Sequence, residues 1–306
     1  MKLVVKIIEI MESKFSCSLP YLYRYVKLDS AKRFLENHCL YLANPLKYND
    51  PYEGQVNVVG TSSDEKKYKY LKNTLEPILG EYGVTCFSTS CDNILMWAYY
   101  ADDQKGICIE FDPSKDDLVF DNVRPISYKE NLPALHVHTE MPNIDEILTT
   151  KSVVWQHEHE YRIIKKGMAE RLITMNHQAI KSIILGCNSA HFYDEEDKNA
   201  KIILDIFEIL KRPEYEHVKI QQIQVGIDRY RLSVAEVPFF VCQKGNMIEI
   251  VSLKHQVLHI QTDDDNPIPK YHAIAYKWER VVLDLDKGKY CIMNDTDKGA
   301  IRFEYK

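Results

Sequence analysis

Trp155-Gln-His-Glu158-His-Glu160-Tyr-Arg162 lies inside segment 152–166, whose β-branched and aromatic residues predict a strand. Residues two apart on a strand face the same way, so Glu158, Glu160 and Arg162 are expected on one face. Two adjacent carboxylates ionise together only at a cost unless a cation intervenes, and Arg162 is the candidate cation. The pattern predicts either a functional acid pair or a surface salt-bridge ladder, and Trp155 with its apolar flanks argues against full exposure.

Composition places the chain among ordinary globular proteins. Its 306 residues are 45% hydrophobic and 27% charged, enough for one large domain or two smaller ones. The formal net charge of −6 gives no global attraction to nucleic acid or an anionic membrane.

Cysteine usage and the lack of long apolar runs predict a cytoplasmic protein. The 8 cysteines include no C-x-x-C pair, so we expect reduced thiols rather than a disulfide framework. The N-terminus lacks the pattern of a signal peptide. No run approaches the length of about 18 apolar residues that a membrane span needs.

Working outward from segment 152–166, the sequence predicts an α+β fold with mixed, largely antiparallel sheets and flanking helices. Further strands are predicted at 21–26, 83–88, 106–112 and 180–186, with two more within 217–237. Helices are predicted at 30–40 (from a cap-like Ser30), 62–80, 93–101, near 142–150 and at 194–210. From 239 onward the chain reads as strand and turn. We therefore expect a domain at 1–237 and a β-rich extension at 238–306 that binds a protein partner.

Two polar segments are further candidates for a site. Asn49-Asp-Pro-Tyr-Glu53 has the turn chemistry of an ordered loop, with Asp50 read as structural and Glu53 left open. Ser88-Thr89-Ser90 follows a predicted strand, where hydroxyls either orient a catalytic carboxylate or ligand ribose, or cap the next helix.

Three other features carry weaker signals. The pairs His136-x-His138 and His157-x-His159 would each share a strand face, but neither has a third ligand at clear spacing, so no metal site is expected. Met96-Trp97-Ala98-Tyr99-Tyr100 is more typical of a core than of a ligand platform. Arg24 is a charge within an aromatic strand and is either snorkelling or directed at a partner such as a phosphate.

Taken together, several ordered motifs resemble a widespread bacterial family, the domain of unknown function catalogued as number 2971. They are Asn49-Asp-Pro-Tyr-Glu53, Cys86-Phe-Ser88, Met96-Trp-Ala-Tyr-Tyr100, Gly106-Ile-Cys-Ile-Glu-Phe, Trp155…Arg162 and Ile183-Ile-Leu-Gly186. The resemblance covers about residues 21–237, and the family name implies no activity.

A second resemblance concerns mechanism. Arg24 on a first strand, Ser88-Thr89-Ser90 on a middle strand and Glu158-x-Glu160 on a later one look like the R–S–E arrangement of ADP-ribosyltransferases. In that superfamily the arginine holds the NAD phosphates and the serine motif braces the site. The second glutamate stabilises an oxocarbenium-like transition state, and the first helps to activate the acceptor.

Carried over by position, this resemblance implies that Glu160 is catalytic and that Glu158 is its partner on the acceptor side. The implied NAD-binding set is Tyr23, Arg24, Ser88, Ser90 and Tyr100. Arg162 is unexpected in this pattern, since it would either neutralise or hold the carboxylate of Glu160.

The leading hypothesis is therefore an NAD-dependent ADP-ribosyltransferase-like enzyme, a toxin or phage-defence effector that modifies an unidentified macromolecule. NAD would be a co-substrate. One alternative is a metal-dependent hydrolase or nuclease using Asp50, Glu53, Glu158 and Glu160. Another is a sensor or interaction module. Convergence of Arg24, Ser88 and Glu160 on an open cleft would favour the enzyme, and a Glu160 locked to Arg162 away from any cleft would count against it.

Overall fold

Segments rich in β-branched and aromatic residues form most of the strands, and apolar residues at helical spacing form most of the helices. The computed structural model describes residues 19–60, 63–136, 141–189, 198–226, 229–236, 239–244, 247–252, 280–284, 289–293 and 301–304. They combine helices with a large mixed, mostly antiparallel sheet. The predicted α+β class is confirmed, while its likeness to ADP-ribosyltransferases stays a prediction.

Most helices lie at the predicted positions with shifted ends, but the predicted helix 62–80 is divided in two and the helix at Asp117–Phe120 was not predicted. They are α1 (Leu28–Asn37), α2 (Asp64–Tyr70), α3 (Glu76–Leu79), α4 (Ile94–Tyr100), α5 (Asp117–Phe120), α6 (Ile144–Leu148) and α7 (Lys198–Leu210). A π-helical turn, Leu71–Leu75, joins α2 to α3. Short 3-10 segments occur at Pro45–Lys47, Pro113–Lys115, Val153–Glu158, His177–Ala179 and Pro213–Tyr215.

The strands are β1 (Leu22–Val26), β2 (Cys39–Leu42), β3 (Asn57–Val59), β4 (Tyr82–Ser88), β5 (Ile107–Phe111), β6 (Arg124–Pro125), β7 (Ser127–Lys129), β8 (Ala134–His136), β9 (Thr150–Ser152), β10 (Glu160–Lys166), β11 (Arg171–Thr174), β12 (Ile180–Leu185), β13 (Lys219–Val225), β14 (Leu232–Glu236), β15 (Phe239–Lys244), β16 (Met247–Ser252), β17 (Arg280–Asp284), β18 (Lys289–Met293) and β19 (Ile301–Glu304).

The predicted cap at Ser30 is wrong, and the alternative that residues 88–90 cap the next helix is not needed. Helix α1 begins at Leu28 after Lys27, which makes no side-chain cap, so Ser30 lies inside the helix. Helix α4 is capped by Asn93, whose Oδ1 accepts from the backbone N–H groups of Leu95 (2.9 Å) and Met96 (3.3 Å). The hydroxyls of 88–90 are therefore not needed for that purpose.

The chain forms two compact units. Among the described residues, unit 1 comprises 19–23, 41–89 and 111–179, and unit 2 comprises 24–40, 90–110 and those from 180 onward. The boundary predicted near 238 stays a prediction. None of the described helices has the length and apolarity that a membrane crossing requires.

Strand β4 organises unit 1. It pairs antiparallel with β10 from Ser88↔Glu160 to Tyr82↔Lys166, and β10 also pairs with β6. On one face of β4, Phe87 packs against Phe111 (5.6 Å between ring centroids) and Phe120 (5.7 Å). On the other face, Val84 packs in an apolar cluster with Leu75, Leu79, Val58, Leu135 and Leu148. Strand β10 is accordingly covered on both sides, and Arg162 and Ile163, which are consecutive, are both fully buried.

Unit 2 holds a parallel pair, β12 with β13, and an antiparallel pair, β13 with β14. The described strands after residue 238 form an antiparallel meander from β15 to β19. The expected strand content of this segment is confirmed for those residues. Trp97 of α4 is buried and meets Tyr25 edge to face, with ring centroids 5.2 Å apart.

Candidate functional site

The predicted continuous strand 152–166 is wrong, because the backbone is broken between its two glutamates. Residues Val153–Glu158 form a 3-10 turn after β9, with the Ser152 hydroxyl accepting from the N–H of Val154. His159 then adopts the left-handed conformation (φ 45°), and β10 begins at Glu160. Glu158 therefore approaches Glu160 around a turn and not along a strand face.

Strand register brings three predicted site residues to one level. Tyr23 of β1 lies opposite Ser88 of β4, and Ser88 lies opposite Glu160 of β10. Directly opposed residues project from the same face of a sheet, so Tyr23, Ser88 and Glu160 form one cross-strand row. Arg162 lies opposite Cys86 on that face, as the spacing predicted. Strand alternation turns Arg24 away from the face that carries Tyr23.

Five charged residues of unit 1, here called the charge network, are connected by ion pairs. They are Glu53, Lys151, Glu158, Glu160 and Arg162. Each has a side chain at most 7% exposed. A surface salt-bridge ladder is therefore the wrong description. The intervening cation predicted at Arg162 is confirmed.

Arg162 forms the inner end of the charge network. Its Nε donates to Glu160 Oε1 (2.6 Å) and Nη2 donates to Glu160 Oε2 (3.3 Å). Nη1 and Nη2 also donate to the two oxygens of Glu53, at 2.5 and 2.9 Å. The carbonyl oxygen of Leu148 accepts from Nη1 at 2.9 Å. A guanidinium has five N–H donors, so every donor of this buried arginine has an acceptor.

Lys151 forms the outer end. Its Nζ donates to Glu158 Oε2 and, at 3.1 Å, to Glu160 Oε2. The same ammonium lies over the ring of Trp155, 4.8 Å from the centroid, which is cation–π geometry. Lys151 thus bridges the two glutamates that the sequence singled out, although nothing in the sequence pattern marked it.

The electrostatics of the charge network favour the ionised form of every member with a resolved shift. Burial by itself would raise the pKa of Glu160, but Arg162 and Lys151 outweigh it and lower that pKa. Burial would lower the pKa values of Arg162 and Lys151, and the facing carboxylates raise both. With every member ionised, three carboxylates face two cations, a net charge of −1.

Tyr128 is a second residue that sequence reasoning missed. Its hydroxyl oxygen accepts from the backbone N–H of Glu160 at 2.8 Å. Burial raises the pKa of Tyr128 to about 12, so the phenol keeps its proton at neutral pH. It anchors the first residue of β10 and lies beside the charge network.

Ser88 holds the turn that carries Glu158. Its side chain is 1% exposed, and its Oγ donates to the carbonyl oxygen of Glu158 at 2.7 Å. This hydrogen bond holds the backbone of Glu158 and so helps to position the carboxylates of Glu158 and Glu160. Its predicted contact with NAD remains untested.

The remaining predicted residues belong to unit 2. Arg24 is half-buried on β1. The Oγ of Ser90 donates to Asp92 (2.5 Å), and the carbonyl of Ser90 accepts from Tyr25 (2.8 Å). Tyr100 is half-buried and meets Tyr99 edge to face at 6.3 Å. The place of Ser90 and Tyr100 beside Glu160 stays a prediction.

The loop Asn49–Glu53 joins the site through its last residue. Asp50 is buried, and its Oδ1 accepts from the N–H of Tyr52 (2.9 Å), while its carbonyl accepts from the N–H of Glu53 (3.1 Å). Asp50 is structural, as the sequence indicated. Gly54 follows in the left-handed region (φ 70°), and Glu53, left open by the sequence, pairs with Arg162.

The pair His157 and His159 does not share a strand face. His157 lies in the 3-10 turn and His159 in the left-handed position, while His136 is exposed on β8 and His138 lies outside the described residues. Within the part of the chain that the structure describes, no group of three or more His, Cys, Asp or Glu side chains is arranged to hold a metal ion.

Comparison with curated proteins and with solved structures finds no match. A family model matches residues 96–163, a segment that contains four of the five members of the charge network together with Tyr128. Glu53 and Ser88 lie before it. Over residues 96–163 the chain matches the family described as "Protein of unknown function (DUF2971)", which supports the resemblance drawn from the motifs.

Proposed function

We propose that this protein is an NAD-dependent ADP-ribosyltransferase-like enzyme that modifies a macromolecule, in the cytoplasmic setting of a bacterial toxin or phage-defence effector. The observation that supports it most is the cross-strand row Tyr23–Ser88–Glu160. These residues are far apart in sequence, and each comes from a different strand. Antiparallel pairing gathers them at one level of one sheet face, the kind of convergence that a shared site requires.

The chemistry suits the ionised state of Glu160. When the N-glycosidic bond of NAD breaks, nicotinamide leaves with the bonding electron pair and positive charge develops on the ribose carbon. An ionised Glu160 would stabilise that charge, and its lowered pKa keeps it ionised at neutral pH. Glu158 would take the proton of the acceptor nucleophile as the new bond to the ribose carbon forms.

The described conformation of Glu160 is closed. The residue is 5% exposed, and its two carboxylate oxygens accept from Arg162 and Lys151. This is the lock to Arg162 that counts against catalysis, so the proposal requires the outer side of the charge network to open when substrate binds. The same closure favours a second candidate, a non-catalytic interaction module in which the network holds the Asn49–Glu53 loop and the β-rich tail binds a partner.

The test is incubation of the full chain with labelled NAD and cell lysate. We expect label transfer, or NAD loss, from the wild type and from Glu65→Gln, whose carboxylate is 74% exposed, and neither from Glu160→Gln. Urea unfolding of each variant separates loss of activity from loss of fold. If Glu160→Gln does not fold, Glu158→Gln takes its place in the same assay.

The two candidates predict opposite results. Absence of label transfer and of any glutamate-dependent NAD loss contradicts the enzyme. The interaction module predicts that Glu160→Gln keeps the cellular activity of the wild type and that deletion of residues 239–306 abolishes that activity.

A further inference from the structure

A cleft of about 420 Å³, here called the α2 cleft, opens in unit 1 between helix α2 and the loop that joins β7 to β8. Small-molecule sites usually measure about 300–1,000 Å³ and combine an apolar surface with a few polar groups. The apolar lining consists of Val56, Val58, Leu71 and Leu132. The two valines belong to the buried apolar cluster around Val84, and Leu71 packs against that cluster. The floor of the cleft is therefore part of the packed core and is preformed.

Helix α2 and the π-helical turn after it form one wall of the α2 cleft. Lys67 and Leu71 are four residues apart, and the N–H of Leu71 donates to the carbonyl oxygen of Lys67, so both side chains lie on one helix face. The turn begins at Leu71, whose carbonyl oxygen accepts from the N–H of Glu76, five residues further on. π-Helical turns are rare and are frequently found at functional sites. This backbone feature is a second observation, separate from the volume of the cleft.

The loop of residues 130–132 forms the second wall, and strand pairing holds its end in place. Pro133 is buried, and its carbonyl oxygen accepts from the N–H of Asn57 at 2.8 Å. Strand β8 then pairs with β3, beginning with Ala134 opposite Asn57. Glu130 is exposed and takes part in no ion pair among the residues that the structure describes. Its carboxylate is therefore available to a cation that enters the cleft.

The polar groups of the α2 cleft complement those of a short peptide. Lys67 pairs with Asp64 at 3.6 Å, but that carboxylate is fully exposed, so the pair contributes little and leaves the ammonium able to bind another anion. Glu130 supplies a negative charge. Asn57 and Asn131 also line the cleft, and a carboxamide both donates and accepts hydrogen bonds, as the N–H and C=O of a peptide group require.

We propose that the α2 cleft binds an apolar dipeptide. The carboxylate of the ligand pairs with Lys67, its ammonium pairs with Glu130, and its peptide group bonds to Asn57 and Asn131. Its two side chains lie on the apolar floor. A single amino acid would leave the carboxamides without a peptide group to bind. The inference goes beyond the proposed reaction, because it concerns a separate site and needs no NAD chemistry.

The first measurement is isothermal titration of the full chain with L-leucyl-L-leucine. Two analogues each lack one charge: N-acetyl-leucyl-leucine has no ammonium, and leucyl-leucinamide has no carboxylate. We expect saturable binding of leucyl-leucine, with each analogue bound at least about tenfold more weakly, since a hydrogen bond between charged groups accounts for a factor of that size. Absence of saturable binding, or equal binding of all three ligands, overturns the proposal.

The second measurement assigns each charge to its residue. Glu130→Gln should lose the preference for leucyl-leucine over its N-acetyl form and keep the preference over the amide. Lys67→Gln should show the reverse. A general change in the fold would not remove one preference and keep the other. Loss of both preferences in either variant, or of neither in both, overturns the assignment of the two ends.

The matched controls lie on the same helix and do not line the cleft. Glu65 and Lys69 pair with each other at 2.7 Å, with side chains 74% and 65% exposed. Glu65→Gln and Lys69→Gln should bind all three ligands as the wild type does. If Glu130→Gln or Lys67→Gln does not fold, the three ligands with the wild type decide the question. A failed NAD assay leaves these titrations interpretable, so the cleft and the proposed reaction are tested separately.

Discussion

The inner and outer ends of the charge network solve the problem of a buried cation in different ways. At the inner end, Arg162 spreads its charge over five hydrogen bonds to three segments of unit 1. At the outer end, Lys151 concentrates the same charge on one atom between two carboxylates and a ring. At similar depths of burial, the two cations therefore differ in how many hydrogen bonds hold them in place.

The largest expected effect comes from removing the inner cation. Arg162→Met leaves the carboxylates of Glu53 and Glu160 buried without their main partner, and such a loss costs about 3–5 kcal/mol of unfolding free energy. Arg124→Met is the control, because Arg124 pairs with Asp145 (2.7 Å) at a side chain 43% exposed and should cost less than about 1 kcal/mol. Urea denaturation measures the unfolding free energy of both variants. Equal losses would contradict the expected difference between a buried and a surface arginine.

Removing the outer cation should have a smaller effect that depends on pH. Lys151→Met loses hydrogen bonds to charged groups, about 1.5–3 kcal/mol at neutral pH. The folded pKa of Glu160 is lowered from 4.5 partly by Lys151, so the contribution of this carboxylate is fully present above pH 4.5 and is lost as the pH falls through the folded pKa. In Lys151→Met that pKa rises towards its ordinary value.

The difference in unfolding free energy between wild type and Lys151→Met should therefore be constant from neutral pH to about pH 5 and shrink in more acid solution. Urea midpoints measured across this range provide the check. A difference that grows on acidification would mean that Lys151 does not stabilise ionised glutamates.

The smallest expected effect is at the surface of unit 1. Lys69 pairs with Glu65 at 2.7 Å along α2, with side chains 65% and 74% exposed. Lys69→Met should change the unfolding free energy by about 0.3–0.5 kcal/mol or less. A loss of unfolding free energy as large as that of Lys151→Met would show that burial does not determine how much these ion pairs stabilise the fold.

The elements that were predicted well are those whose pattern is local. Strands β4, β12 and β13 and helix α4 follow from alternation, helical spacing and β-branched content, which act within a few residues. The segment 152–158 was mistaken because Val153, Val154 and Trp155 favour a strand locally. The left-handed residue that ends the turn is His159, and it carries none of the signal that a glycine would give.

The site was predictable where its members lie on one strand. Spacing alone placed Glu160 and Arg162 together. Lys151 could not be recognised from the sequence as a member of the site. Its burial depends on a turn that brings it close to Glu160, nine residues further along the chain. Glu53 reaches Arg162 across 109 residues, and such a pairing is decided by tertiary packing, which periodicity does not contain.

His159, the left-handed residue between the two glutamates, immediately precedes β10, whose register with β4 fixes which side chains lie on each face. Because strand side chains alternate, shifting β10 by one position relative to β4 would exchange its two faces. Tyr161 and Ile163 would then enter the position of Glu160 and Arg162, opposite Ser88 and Cys86, and the charged side chains would face the cluster of Phe87, Phe111 and Phe120. The register that follows the turn at His159 thus determines which side chains each face of the sheet presents.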